Sequence, residues 1–188
     1  LETGSVTISR AATSVTYPAN FMLVCAMNPC PCGFYTDKQR ECHCTPHQIQ
    51  NYMSKVSGPL LDRIDIHIEV PAVRYSELTK NREVQPSEDI RKKVAMARTI
   101  QKERFNDHQI KVNAHMSSKQ VKKHCVLDTH AETLLHQAMM ELGISARGYN
   151  KILKVARTIA DLDESETIKI EHISEAIQYR SLDRSLWK

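Results

Sequence analysis

Phe21-Met-Leu-Val-Cys-Ala-Met27 is an unbroken apolar run, bounded by Pro18 on one side and Asn28-Pro29 on the other. Such a run between turn residues predicts a strand buried on both faces, as in a parallel α/β sheet. Upstream, residues 5–17 (Ser-Val-Thr-Ile-Ser-Arg-Ala-Ala-Thr-Ser-Val-Thr-Tyr) are rich in β-branched types and alternate in polarity. They predict two short strands joined near Ala11–Thr13 as a hairpin. Downstream, Ile64-Asp-Ile-His-Ile-Glu-Val70 has period two, with Ile64, Ile66, Ile68 and Val70 on one face and Asp65, His67 and Glu69 on the other. It predicts a strand ended by Pro71, with His67 on its polar surface.

Between these strands lie four of the six cysteines, Cys30-Pro-Cys32-Gly and Cys42-His-Cys44. The chain carries no secretory signal at Leu1-Glu-Thr-Gly, so a reducing, cytoplasmic setting is expected and disulfides are disfavoured there. Four thiolates in so short a loop suit tetrahedral Zn²⁺, although the usual structural spacing is Cys-x2–4-Cys. His43 or His47 could replace one thiolate. Free thiols, or disulfides formed on isolation, are the other readings. Cys25, inside the apolar run, reads as a core thiol. Residues 46–56 follow as a helix with Ile49, Tyr52, Met53 and Val56 on one face, broken at Ser57-Gly58-Pro59.

After Pro71 the pattern turns helical. Residues 72–85 read as a short helix and linker. Ser87 is the expected cap of a helix with Glu88 and Asp89 in its first turn, and its face runs through Ile90, Val94, Ala97, Ile100 and Gln101 to about Phe105. A second helix is expected from Thr129, with Glu132 completing a capping box, and Leu134, Leu135, Ala138, Met139 and Leu142 as its stripe before Gly143. A third runs from Ser145 to Leu162, and a fourth from Glu171 to Tyr179. Short helices on short loops predict a compact bundle.

Charge is uneven. Residues 80–125 carry twelve Lys/Arg against five Asp/Glu, whereas acids outnumber bases on both sides of them. That stretch could face phosphates or could be a solvated helix surface. No apolar run approaches the ~20 residues of a membrane span. The chain has only five glycines and contains no phosphate-binding glycine loop, no nucleophile elbow and no His-Glu-x-x-His. It therefore holds no complete catalytic site of those kinds.

Three polar residues sit at sharp places. Asn28 ends the expected buried strand, where ligands of open α/β sheets bind; the competing reading is a turn residue satisfying its own backbone. Arg63 lies among apolar neighbours in Leu60-Leu-Asp-Arg-Ile64. Arg147 is a cation in a first helical turn, where the dipole opposes it and a bound phosphate would favour it.

Read in order, Phe21 to Gly33, Ser57-Gly-Pro-Leu-Leu-Asp-Arg-Ile-Asp65, Ser145-Ala-Arg147 and Val155-Ala-Arg-Thr-Ile-Ala-Asp161 closely resemble the magnesium-chelatase-like AAA+ ATPases, in particular their ComM (YifB) branch. The resemblance covers essentially the whole chain. It implies an α/β fold: the C-terminal part of an AAA+ P-loop core over residues 1–73 (hairpin, parallel strands, Cys-rich loop), then an all-α lid over residues 74–188. It implies that the Walker motifs lie upstream, so that these 188 residues alone do not hydrolyse ATP. It also implies roles: Asn28 as sensor 1, Arg63 as an arginine finger acting on a neighbouring subunit, Arg147 as sensor 2, and the hairpin with Arg10 as a DNA contact. ATP and Mg²⁺ are the implied cofactors, and a ring homo-oligomer, expected as a hexamer, and DNA the implied partners. A chelatase-type motor and a zinc-knuckle nucleic-acid-binding module are the alternatives.

Overall fold

The computed structural model describes residues 3–11, 13–71, 85–106 and 110–180. It divides into two compact units, Leu1–Arg63 and Ile64–Lys188. Among the described residues the chain is mixed α/β, with one two-stranded sheet and seven α-helices. None of those helices is long and apolar enough to cross a membrane. The expected helix-plus-linker at 72–85 and the expected division at 73/74 fall on residues that, but for Gln85, lie outside the described ones.

In the first unit β1 (Ser5–Arg10) pairs antiparallel with β2 (Thr13–Pro18), with Val6 opposite Tyr17 and Ile8 opposite Val15. The polar side of the hairpin is closed by hydroxyl pairs, Thr7 with Thr16 at 2.8 Å and Ser9 with Ser14 at 2.9 Å. Cross-strand pairs of this kind fix register. The hairpin expectation holds, and both faces are exposed.

The buried-strand expectation for Phe21–Met27 does not hold. No strand pairs with this run among the described residues, and Phe21, Met22 and Val24 are 60%, 87% and 82% exposed. A strand is defined by a neighbour's backbone, and among the described residues none pairs with it. Cys25 is accordingly exposed, not a core thiol. Helix α1 (Pro46–Met53) begins at Thr45, whose hydroxyl accepts from Gln48 N while Gln48 Oε1 accepts from Thr45 N. It stops a turn earlier than expected, and the Ser57-Gly58-Pro59 break itself opens a short helix, α2 (Gly58–Leu61).

In the second unit Ile64–Val70 is also not a strand. The expected burial of one face does not hold: Asp65 and Glu69 are exposed along with most of the isoleucine side, and Ile64 is only half-buried. His67 is buried, while Ile66, Ile68 and Val70 are exposed. Groups from the helical region hold the segment at three points. The His67 amide donates to Tyr179 O at 2.7 Å, the Arg180 guanidinium donates to Ile64 O at 2.6 Å, and Lys151 pairs with Asp65. The period-two pattern therefore does not decide burial here, which depends on what packs against the run.

The bundle comprises α3 (Ser87–Arg104), a 3₁₀ turn (Asn113–His115), α4 (Ser118–His124), α5 (Thr129–Leu142), α6 (Ala146–Leu162) and α7 (Ile170–Gln178). Helix α6 is central and touches α3, the 3₁₀ turn, α4 and α7. Its stripe Ile152, Leu153, Ala156 and Ala160 is buried with Leu135 of α5 and Ile173 of α7. Burying a large aliphatic side chain contributes about 1.5–3 kcal/mol, so Ile152, Leu153, Leu135 and Ile173 each add materially to the cohesion of the unit. Two caps sit one residue before their expected places. Pro86 precedes α3, and Asp128, not Thr129, caps α5 by accepting from Ala131 N at 2.7 Å. Gly143 ends α5 in the left-handed region, as expected. Helix α4 was not anticipated, although Ser117-x-x-Gln120 is a capping box.

Candidate functional site

The Cys-Pro-Cys-Gly turn is closed by the Gly33 amide donating to Cys30 O at 3.0 Å, with Gly33 at φ +84°. Only a residue without Cβ takes that conformation cheaply. The turn brings Cys30 and Cys32 to the same side. The loop returns through Asp37, whose amide donates to Phe34 O at 3.1 Å and whose carboxylate accepts from Gln39 N at 2.7 Å. Arg40 lies over the Phe34 ring at 5.2 Å. Cys42 and Cys44 then arrive opposite the first pair, and Thr45 starts α1 immediately behind them.

The four sulfurs lie within 4.8 Å of one another. Cys30 to Cys32 is 3.3 Å, Cys32 to Cys42 is 3.6 Å and Cys30 to Cys42 is 3.7 Å. A tetrahedral ion with metal–sulfur bonds of about 2.3 Å sets its sulfurs about 3.8 Å apart, so the cluster fits such an ion. No pair is at the ~2.0 Å of a disulfide, and all six cysteines are free. Neither histidine belongs to the cluster. His43 is exposed, and His47 Nε2 is engaged by Asn51 Nδ2 at 3.0 Å.

The thiols share their protons unequally. The Phe34 backbone amide, helped by hydrogen bonds from the other three thiols, pulls Cys32 down to about 6. Burial first, and then the neighbouring sulfurs, push Cys44 up to about 12. Cys42 is also raised, because burial and its neighbours outweigh the backbone bond from Cys44. One thiolate forms readily and its charge opposes the next. Four thiolates at this spacing coexist only around a cation.

The other sequence-predicted residues are placed as follows. Asn28 is exposed, with its amide 3.8 Å from where a Cβ on Gly33 would lie, so it stands against the Cys turn. Arg63 follows α2, half-buried, and its Nη1 donates to Pro59 O at 2.6 Å. That bond ties the guanidinium back to α2. Arg10 is exposed at the hairpin turn, opposite Thr13. These three belong to the first unit. Arg147 belongs to the second, exposed in the first turn of α6 behind the Ser145 cap, whose Oγ accepts from Gly148 N at 3.0 Å.

Residues 84–180 match the family described as magnesium chelatase, subunit ChlI C-terminal, and residues 1–78 match magnesium chelatase, subunit ChlI. The chain belongs to the magnesium chelatase family. Within that family it is 41% identical over its full length to competence protein ComM of Haemophilus influenzae. It is 39% identical to the YifB protein of Escherichia coli and 37% identical to that of Salmonella typhimurium, each over 99% of the chain. In all three cases it spans 36% of the relative's length.

One polar group in this magnesium chelatase family member was not assigned a role from sequence. Asp161 of α6 is fully buried and takes hydrogen bonds from Arg104, Arg157 and Asn113. The signal was present, since Arg157 and Asp161 are an i, i+4 ion pair adjoining an otherwise apolar helical stripe.

Proposed function

We propose that this chain is the sensor, finger and lid portion of a ring-forming AAA+ ATPase that remodels DNA by ATP-driven branch migration in the cytoplasm. Residues 1–73 then complete the ATPase core and residues 74–188 form the lid. Asn28 orients the water that attacks the γ-phosphate. Arg63 reaches the nucleotide of the neighbouring subunit in a homo-hexameric ring, and Arg147 holds the phosphates of bound ATP from the lid. Arg10 presents a cation to DNA from the tip of the hairpin. Mg²⁺-ATP, bound mainly by parts of the protein beyond these residues, supplies the phosphoryl-transfer chemistry. Zn²⁺ on Cys30, Cys32, Cys42 and Cys44 fixes the loop after Asn28 and has no part in the reaction.

The observation that carries this reading is Arg63. Its guanidinium is half-buried and tethered to Pro59 O at 2.6 Å, in a segment matched to magnesium chelatase subunit ChlI. A cation held at a defined point on the unit can meet charge developing on a transferred phosphoryl without reorganising first. Fingers of this kind are worth about 10³–10⁵ in turnover. The test is Arg63→Ala in the intact protein. ATP hydrolysis should fall by at least about a hundredfold while ATP binding persists. Hydrolysis within threefold of the wild type would reject the assignment.

The family descriptions themselves favour a second reading, a chelatase-type motor that remodels a metal-inserting partner. The two separate on branched DNA. A DNA motor binds it with steep salt dependence and is stimulated by it, whereas a chelatase motor is indifferent.

A further inference from the structure

Residues 108–127 contain no Asp or Glu. Within them Lys111, Lys119, Lys122 and Lys123 are exposed on backbone anchored by the buried side chains of Met116, Val121 and Cys125. Lys119, Lys122 and Lys123 stand at i, i+3 and i+4 on α4 and so share one face, while Val121 turns inward. Two other lysines of the bundle have acids: Lys92 meets Glu88 at 3.1 Å and Lys151 meets Asp65. Among the described residues none of the three α4 lysines, nor Lys111, makes an ion pair.

The helix dipole accounts for Lys122 and Lys123, which lie in the last turn of α4, but it opposes Lys119 in the first. Like charges three and four residues apart repel. This face therefore carries a concentration of positive charge that the fold itself does not neutralise. His124 beside it shows the same field: burial first, then Lys123, Arg104 and Arg157, hold its pKa below the ordinary value. Lys154 of α6 extends the edge, with its Nζ donating to Ala114 O at 2.9 Å.

We propose that the α4 face formed by Lys119, Lys122 and Lys123, flanked by Lys111, docks on the phosphate backbone of duplex DNA. The inference rests on the reading of the chain as part of a DNA motor and adds a contact on the helical unit, separate from Arg10. The exposed positions of α4 carry no apolar or aromatic side chain. Protein interfaces are depleted in lysine and centred on such anchors, so an acidic protein is the poorer fit. Lysine ammoniums are compact point charges suited to phosphates, and they give sequence-independent contacts.

The test is equilibrium binding of duplex DNA to the intact protein between about 50 and 200 mM salt. Each phosphate contact adds about 0.9 to the log–log salt slope. Replacing all three residues (K119Q, K122Q and K123Q together) should flatten the slope by about 2–3, and the single K119Q by about 0.9. The charge-preserving set K119R, K122R and K123R should keep the wild-type slope, as should K92Q, whose lysine already has acidic partners. Basal ATP hydrolysis without DNA should be unchanged throughout. A wild type that binds DNA with a slope the glutamine variants leave unaltered overturns this surface alone, and is the outcome expected if an acidic protein is the true occupant. A wild type that binds no DNA overturns both this inference and the DNA-motor reading.

Discussion

Asp161 shows how much one side chain can organise. Arg104 Nη1 reaches its Oδ2 at 2.7 Å, Arg157 Nε reaches Oδ1 at 3.0 Å, and Asn113 Nδ2 reaches Oδ2 at 2.8 Å. The carboxylate ties α3, the 3₁₀ turn and α6 at one point. Burial pushes the Arg157 pKa down and Asp161 draws it back, so the guanidinium depends on this partner. Arg157 also donates to the carbonyls of Ser165 and Glu166, which pins the chain beyond α6. Removing one partner of a buried ion pair costs about 3–5 kcal/mol, because the charge left behind has lost its water. Asp161→Ala should therefore lower the unfolding free energy measured in urea by about that much, and a loss under about 1 kcal/mol would show that the two arginines find water or another acceptor. From sequence, the pair could be placed on the helix, but its partners Arg104 and Asn113 are 57 and 48 residues away. No local pattern encodes such separations.

At the scale of elements, what could be read from the chain was what local chemistry decides. The hairpin alternation, the α6 stripe and the Gly143 stop all rest on neighbours within a turn or two. The cap of α5 moved by one residue because Asp128 and Thr129 are both acceptable caps and the carboxylate took the Ala131 amide. The Cys block belongs to the same class: its four sulfurs converge because a glycine turn and a helix start bracket a short loop. If it is a metal element, elemental analysis should find about one zinc per chain. Cys42→Ser should lose the metal and loosen the start of α1, while His43→Ala and His47→Ala should keep it. Metal-free wild type, purified without chelators, would leave four free thiols and remove the zinc reading.

For the whole molecule, two of the runs whose patterns predict strands are not strands. Phe21–Met27 and Ile64–Val70 have the composition of sheet but join no strand ladder among the described residues, with Met22 at 87% and Val70 at 82% exposure. A pattern of side chains specifies which face a strand would bury, but pairing requires another backbone, and the described residues offer none. The relatives are nearly three times as long as the matched region, which spans 36% of them. The proposed AAA+ core would supply the missing sheet from that remainder. Hydrogen exchange decides the matter. In the 188-residue chain alone, amides across both runs should exchange fast, except His67, whose amide already donates to Tyr179 O. In the intact protein, amides facing a neighbouring strand should slow by about a hundredfold or more, as ladder amides in a stable core do. Equal rates in the two preparations would mean that the runs stay unpaired, and the apolar side chains of Phe21, Met22 and Val24 would then need a partner outside the chain altogether.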